Sequence, residues 1–113
     1  MTGGDELTLT KENIFEIFKV RMSDESKLLF TTLWNNKEAM AKEQLWKAAN
    51  LQKKKIRPDT DQEKDYINSR YTLDISIARL EGAGLLDVKS YGRIRTYTIS
   101  LLGREFYEYL KKN

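Results

Sequence analysis

The sequence predicts an α+β fold that is mostly α, on three observations. Apolar residues recur three and four positions apart in five separate segments, the spacing that gathers them on one face of a helix. One stretch, Leu85 to Ile99, departs from that period and carries β-forming residues on either side of a turn. Polar capping residues or glycines stand where these segments begin and end. A length of 113 residues suits one core. Residues 10–113 are therefore expected to form a single domain behind a flexible N-terminus at 1–9, where two glycines and two acids show no period.

Thr10 caps the first helix, in which Ile14, Phe15, Ile17 and Phe18 form an apolar stripe that runs to about Met22. A second start follows in SDES, Ser23 to Ser26, where acids in the first turn favour the positive end of the helix dipole. Leu29, Phe30, Leu33 and Trp34 supply its buried face, and Asn35 to Lys37 break it. The third helix, Lys42 to Asn50, turns Leu45, Ala48 and Ala49 inward. Trp46 flanks that face as a core or dimer contact, while Lys42 and Lys47 point outward.

Leu73, Ile77 and Leu80 anchor a fourth helix, which stops at Gly82 and Gly84. GAGLL then leads directly into a strand from Leu85 to Lys89, with Ser90, Tyr91 and Gly92 as the turn and Arg93 to Ile99 as the return. Tyr97 and Ile99 read as core residues. Ser100 caps the last helix, whose stripe is Leu102, Phe106, Tyr109 and Leu110. Between the third and fourth helices, residues 52–68 read as an insertion too polar for a core. Pro58 breaks any helix that begins in KKKIR, and Thr60 and Glu63 have capping-box spacing. Either one long helix runs from Asp61 to Ala83, or a loop precedes a separate helix that begins near Ser69.

Zero Cys and zero His remove disulfides, thiol chemistry, zinc-finger sites and the usual neutral-pH proton shuttle. The alternating acids Asp59, Asp61 and Glu63 lack the glycine of a Ca²⁺ loop, Lys64 standing in its place. No GxxxxGK, HExxH or GxSxG motif occurs. No enzyme, metal or cofactor is expected. No apolar run approaches the roughly 20 residues that cross a bilayer, and the first residues lack a secretion pattern. A cytoplasmic protein without a membrane partner is the expectation.

The net charge is +3, distributed as −2 over residues 1–35, +3 over 36–70 and +2 over 71–113. Two basic clusters contain no internal acid: Lys53, Lys54, Lys55 and Arg57 in one, and Lys89, Arg93 and Arg95 in the other. Such clusters neutralise phosphates and release counterions. Acids crowd in just after the first cluster, which favours a solvated face there, whereas the hairpin cluster reads as a phosphate grip. Lys42, Lys47 and Arg79 are further candidates for phosphate contact.

The phrase IARLEGAGLL, then DVKSYGRIRTYTIS, then SLLGREFYEYL resembles the winged helix-turn-helix family of prokaryotic and viral DNA-binding proteins, which includes the MarR-like and PadR-like regulators. With the scaffold helix around AKEQLWKAANL, the resemblance covers roughly residues 40–51 and 69–112. It implies a recognition helix in the major groove and a two-stranded wing on backbone or minor groove. By position, Arg70, Tyr71, Thr72, Asp74 and Ile75 would face base edges. Lys89, Tyr91, Gly92, Arg93 and Arg95 would form the wing contact, with Gly92 at its tip. The sequence departs from the family between the two helices of the reading unit, where a turn of about 3–4 residues is usual.

Three functions follow as expectations. The first is a homodimeric, sequence-specific binder of double-stranded DNA acting as a transcriptional repressor. Its first and last helices would dimerise through Phe15, Phe18, Phe106, Tyr109 and Leu110, whose aromatic stripes exceed what so small a core absorbs. The second is a DNA-binding adaptor for plasmid or phage segregation that links repeats to a motor NTPase. The third is a winged helix used for protein contacts alone.

Overall fold

A computed structural model describes residues 8–56 and 64–113. Among them the order is α1 (Lys11–Arg21), α2 (Asp24–Asn36), β1 (Met40–Ala41), α3 (Lys42–Ile56), α4 (Arg70–Gly82), β2 (Leu86–Tyr91), β3 (Ile94–Ile99) and α5 (Leu101–Lys112). The expected α+β class, mostly α, is what the chain adopts.

Four helix starts are fixed by hydroxyls that accept from the backbone three residues on: Thr10 from Asn13, Ser23 from Ser26, Ser69 from Thr72 and Ser100 from Gly103. At Thr10 the box is reciprocal, since the Thr10 N–H donates to Asn13 Oδ1 at 3.0 Å. Helix α2 ends at Lys37, which adopts the left-handed conformation at φ 63°. It occupies the centre and packs against α3, α4 and β3. Leu29, Phe30, Leu33, Leu45, Leu73, Leu80, Leu85 and Tyr97 are among the residues it helps to bury. The Ser26 hydroxyl donates to the Ser76 carbonyl at 2.9 Å, so even the polar contact between α2 and α4 is satisfied inside the core.

The sheet is antiparallel in the order β1-β3-β2. Hairpin register runs from Leu86 opposite Ile99 to Tyr91 opposite Ile94, and β1 adds Met40 opposite Tyr97 and Ala41 opposite Thr96. Two corrections to the sequence reading follow. The hairpin carries a third, very short strand, and its turn is Gly92–Arg93 rather than Ser90 to Gly92. Gly92 has φ 63°, the conformation a two-residue hairpin loop requires of its first residue and that glycine supplies without a Cβ penalty. Arg93 therefore sits in the turn, outside β3.

Three helical expectations also change. The third helix runs past Asn50 to Ile56, because its polar last turns lie on the solvent side and need no apolar stripe. Ile17, placed on the buried stripe of the first helix, is 47% exposed, and Phe15 alone of that stripe is fully buried. The long helix from Asp61 to Ala83 does not form: residues 64–69 are non-helical, and Ser69 sits at φ −142°, ψ 149° as the cap of α4. The suggested start at Asp61 lies outside the described residues, as do Pro58 and Arg57.

Helices α1 and α5 close the far side. The Phe106 ring lies 5.5 Å from Phe15, 5.7 Å from Phe18 and 5.6 Å from Phe30, and Phe15 is 5.6 Å from Tyr109. Trp34 stacks on Tyr107 at 3.8 Å. Where α5 crosses the base of the hairpin, Gly103 permits the approach, since a Cβ there would lie 2.4 Å from the Leu85 carbonyl oxygen. Ser100 ties the same corner, its hydroxyl donating to the Gly84 carbonyl at 2.7 Å and its N–H to the Leu85 carbonyl at 3.0 Å. The sequence of elements, helix, bridge strand, two helices, hairpin, is a winged-helix architecture braced by α1 and α5.

Candidate nucleic-acid interface

Three pieces of chain converge on one surface: the first turn of α3, the N-terminal half of α4 and the β2–β3 hairpin. Their relative placement begins with the two-residue strand β1, which pairs with β3 and runs without a linker into α3. A cleft of about 410 Å³ opens between them, lined by Ala41, Lys42, Glu43, Arg93, Ile94, Arg95 and Tyr97.

The start of α4 is held by a buried clamp that the sequence reading missed. Ile67 is fully buried. Its N–H donates to Asn50 Oδ1 at 2.9 Å, while its carbonyl accepts from Asn50 Nδ2 at 3.2 Å and from Trp46 Nε1 at 2.7 Å. Asn50 itself is 5% exposed. A side-chain amide thus pairs with one backbone unit in both directions, as a strand neighbour would, and fixes the chain two residues before the Ser69 cap. Trp46 belongs to this packing, in keeping with its reading as a core residue. An isolated Ile in a polar segment, and an Asn directly after the inward Ala48 and Ala49, are the faint signals the sequence holds.

The clamp extends outward. Lys54 pairs with Asp65 at 3.1 Å, and the Lys53 ammonium lies 4.4 Å from the centre of the Tyr66 ring. Two members of the basic cluster are thus occupied in holding the approach to α4. Lys55 is exposed and borders a groove between α2 and α3.

Of the residues placed by resemblance at base edges, Tyr71 is 74% exposed and Arg70 is exposed, whereas Thr72, Asp74 and Ile75 are half-buried. The Thr72 hydroxyl lies 3.0 Å from that of Ser69, within the cap. Arg70 lies 5.4 Å from the Trp46 ring and donates to Glu43. That hydrogen bond, and then the charge of Glu43, raise the Arg70 pKa above its ordinary value. Asp74 pairs with Lys42 at 2.8 Å. The first turn of α3 and the start of α4 therefore exchange crossed ion pairs, each helix offering one cation and one anion.

On the hairpin, Arg93 stands exposed at the tip with Tyr91 and Ile94 beside it, 63% and 59% exposed. Lys89 is exposed on β2. Arg95 instead turns toward α4, donating to Glu81 Oε2 at 2.9 Å and lying 5.8 Å from the Tyr97 ring. Among the described residues Lys47, Arg79, Lys89 and Arg93 have no ion-pair partner. The surface so assembled offers unpaired cations, Lys89 and Arg93, on its hairpin, a projecting helix start with an exposed phenol, and internally balanced charge at its centre. Such a surface suits a polyanion whose grooves are read as well as gripped.

The five residues expected at a dimer contact lie on α1 and α5. Phe15 and Phe106 are buried within the single chain, while Phe18, Tyr109 and Leu110 are half-buried. Tyr109 donates to Glu16, and Lys11 pairs with Glu105, across the same two helices. Among the described residues no helix is long and apolar enough to cross a membrane.

No family model matches the chain. It is 44% identical over 79 residues to a DNA-binding protein TubR of Bacillus cereus (strain ATCC 10987 / NRS 248). That alignment covers 66% of this chain and spans 65% of the length of the relative.

Proposed function

We propose that this chain is a non-enzymatic, double-stranded DNA-binding protein that acts as a segregation adaptor for a plasmid or phage. The observation that carries the reading is the winged-helix surface, with Tyr71 projecting from the start of α4 and Arg93 from the hairpin tip. The likeness to a Bacillus cereus protein named for DNA binding supports it. In this reading α4 enters a major groove with Arg70, Tyr71, Thr72, Asp74 and Ile75 toward the bases, and Arg93 and Lys89 hold the flanking backbone. Both roles need DNA binding, which is what the relative's name states; the adaptor adds a contact with an NTPase and the repressor the control of a gene.

A homodimer places two such surfaces on repeated half-sites. Phe18, Tyr109 and Leu110 remain half-buried on α1 and α5, and Ile17 and Val20 are 47% and 71% exposed on α1, which supports these helices as the contact. The adaptor acts in the cytoplasm and hands its DNA to a motor NTPase. Footprinting across a carrying plasmid tests the proposal. Protection of tandem repeats beside an NTPase gene is expected, isolated promoter sites would favour repression, and no protected site would refute DNA reading.

A further inference from the structure

Three of the five ion pairs among the described residues lie on the candidate DNA surface: Lys42 with Asp74, Arg70 with Glu43 and Arg95 with Glu81. In each, the cation is one that a DNA-reading surface would aim at phosphate or base, and the anion is a carboxylate that duplex DNA of any sequence repels. All six side chains are about one third exposed or more, and exposed pairs add little to stability. Folding alone gives little reason for such a concentration of acids here.

We infer that Glu43, Asp74 and Glu81 are specificity-determining residues, which hold Arg70, Lys42 and Arg95 in place and withdraw their charge from indiscriminate attraction to DNA. The inference rests on the DNA-binding reading. A cation that must leave a carboxylate before it meets a phosphate gains little from the exchange, and the abandoned carboxylate then faces the polyanion. A poorly matched duplex offers nothing to offset this. On a matched duplex, base-edge contacts by the held side chains do, because a pre-oriented guanidinium loses less freedom on bonding a guanine edge. Indiscriminate attraction is left to Arg93 and Lys89 on the hairpin, which have no ion-pair partner among the described residues.

Glu43→Gln and Glu81→Gln, each alone in the full chain, test this against two probes: a random-sequence duplex, and the tightest duplex selected from a random pool. Each variant is expected to bind the random duplex more tightly and to steepen the plot of log affinity against log salt by about 0.9. Between about 50 and about 200 mM salt that steepening adds about a threefold loss of affinity. The ratio of selected to random affinity should fall. Unchanged or weaker binding to the random duplex, with an unchanged salt slope, would overturn the inference even if wild type binds DNA and Arg93→Ala flattens its slope. Failure of wild type to bind any duplex would overturn the DNA-binding reading itself.

Discussion

Replacing Asn50 by Ala removes the clamp on Ile67, and the cost can be worked from its parts. Two hydrogen bonds vanish, at 2.9 and 3.2 Å, and the carbonyl's loss of the second is worth about 1 kcal/mol net. The two backbone groups are left in unequal positions. The Ile67 carbonyl still accepts from Trp46 Nε1 at 2.7 Å, but the N–H loses Asn50 Oδ1 and is stranded inside the core, a penalty of about 1–3 kcal/mol. A total destabilisation of about 2–4 kcal/mol corresponds, for a chain of this size, to a melting temperature lower by roughly 8–20 °C. Asn50→Asp keeps the acceptor but sets a carboxylate oxygen against the Ile67 carbonyl, so it should fare no better than Ala. Trp46→Phe removes a donor from a carbonyl that Asn50 still serves, and should cost less than either. Thermal and urea unfolding of the three variants measure this order. An Asn50→Ala protein that melts within about 2 °C of the parent would refute the role given to the amide.

Gly103→Ala should destabilise by about 1–3 kcal/mol in urea unfolding, since its Cβ would lie 2.4 Å from a backbone oxygen that cannot easily yield; an unmoved midpoint would count against the close approach. Phe106→Ala, at the centre of the ring cluster, should cost about 3–5 kcal/mol, and a smaller loss would mean that α5 is not needed to brace the core. Arg93→Ala should weaken binding to all duplexes alike and reduce the salt slope by about one unit, where an unaltered slope would remove the hairpin tip from the interface. Tyr71→Ala should cost about 1–3 kcal/mol on a selected duplex and less on random DNA, and equal losses on both would refute base reading by that ring.

Helix starts were legible because a cap is written in one residue: Thr10, Ser23 and Ser100 each announce themselves beside an apolar stripe. The hairpin was legible for a similar reason, its β-formers being flanked by glycines, though the last pair of the ladder, Tyr91 with Ile94, narrowed the turn to two residues. Strand β1 was not legible. Two residues carry no period, and they pair only because β3 is already in place. The extension of α3 to Ile56 was hidden by its polarity, as was the burial of Ile67, which depends on an amide 17 positions away. The individual charges of the candidate site could be read from the sequence, but their pairing could not. Whether Arg70 meets Glu43 or a phosphate is decided by how two helices cross, and the spacing of letters does not encode that angle.

The junction of β1 with α3 has a mechanical consequence. Met40 and Tyr97 are opposite each other in the ladder and both buried, and Lys42 begins the helix one residue after Ala41. The hairpin and α3 are thus joined by the shortest coupling a chain can make, with no hinge between them. A twist of the hairpin is delivered to the first turn of α3 and, through the crossed pairs, to the start of α4. In the proposed DNA-bound state the hairpin and the first turn of α3 would meet a duplex as one piece, at a spacing set by this junction.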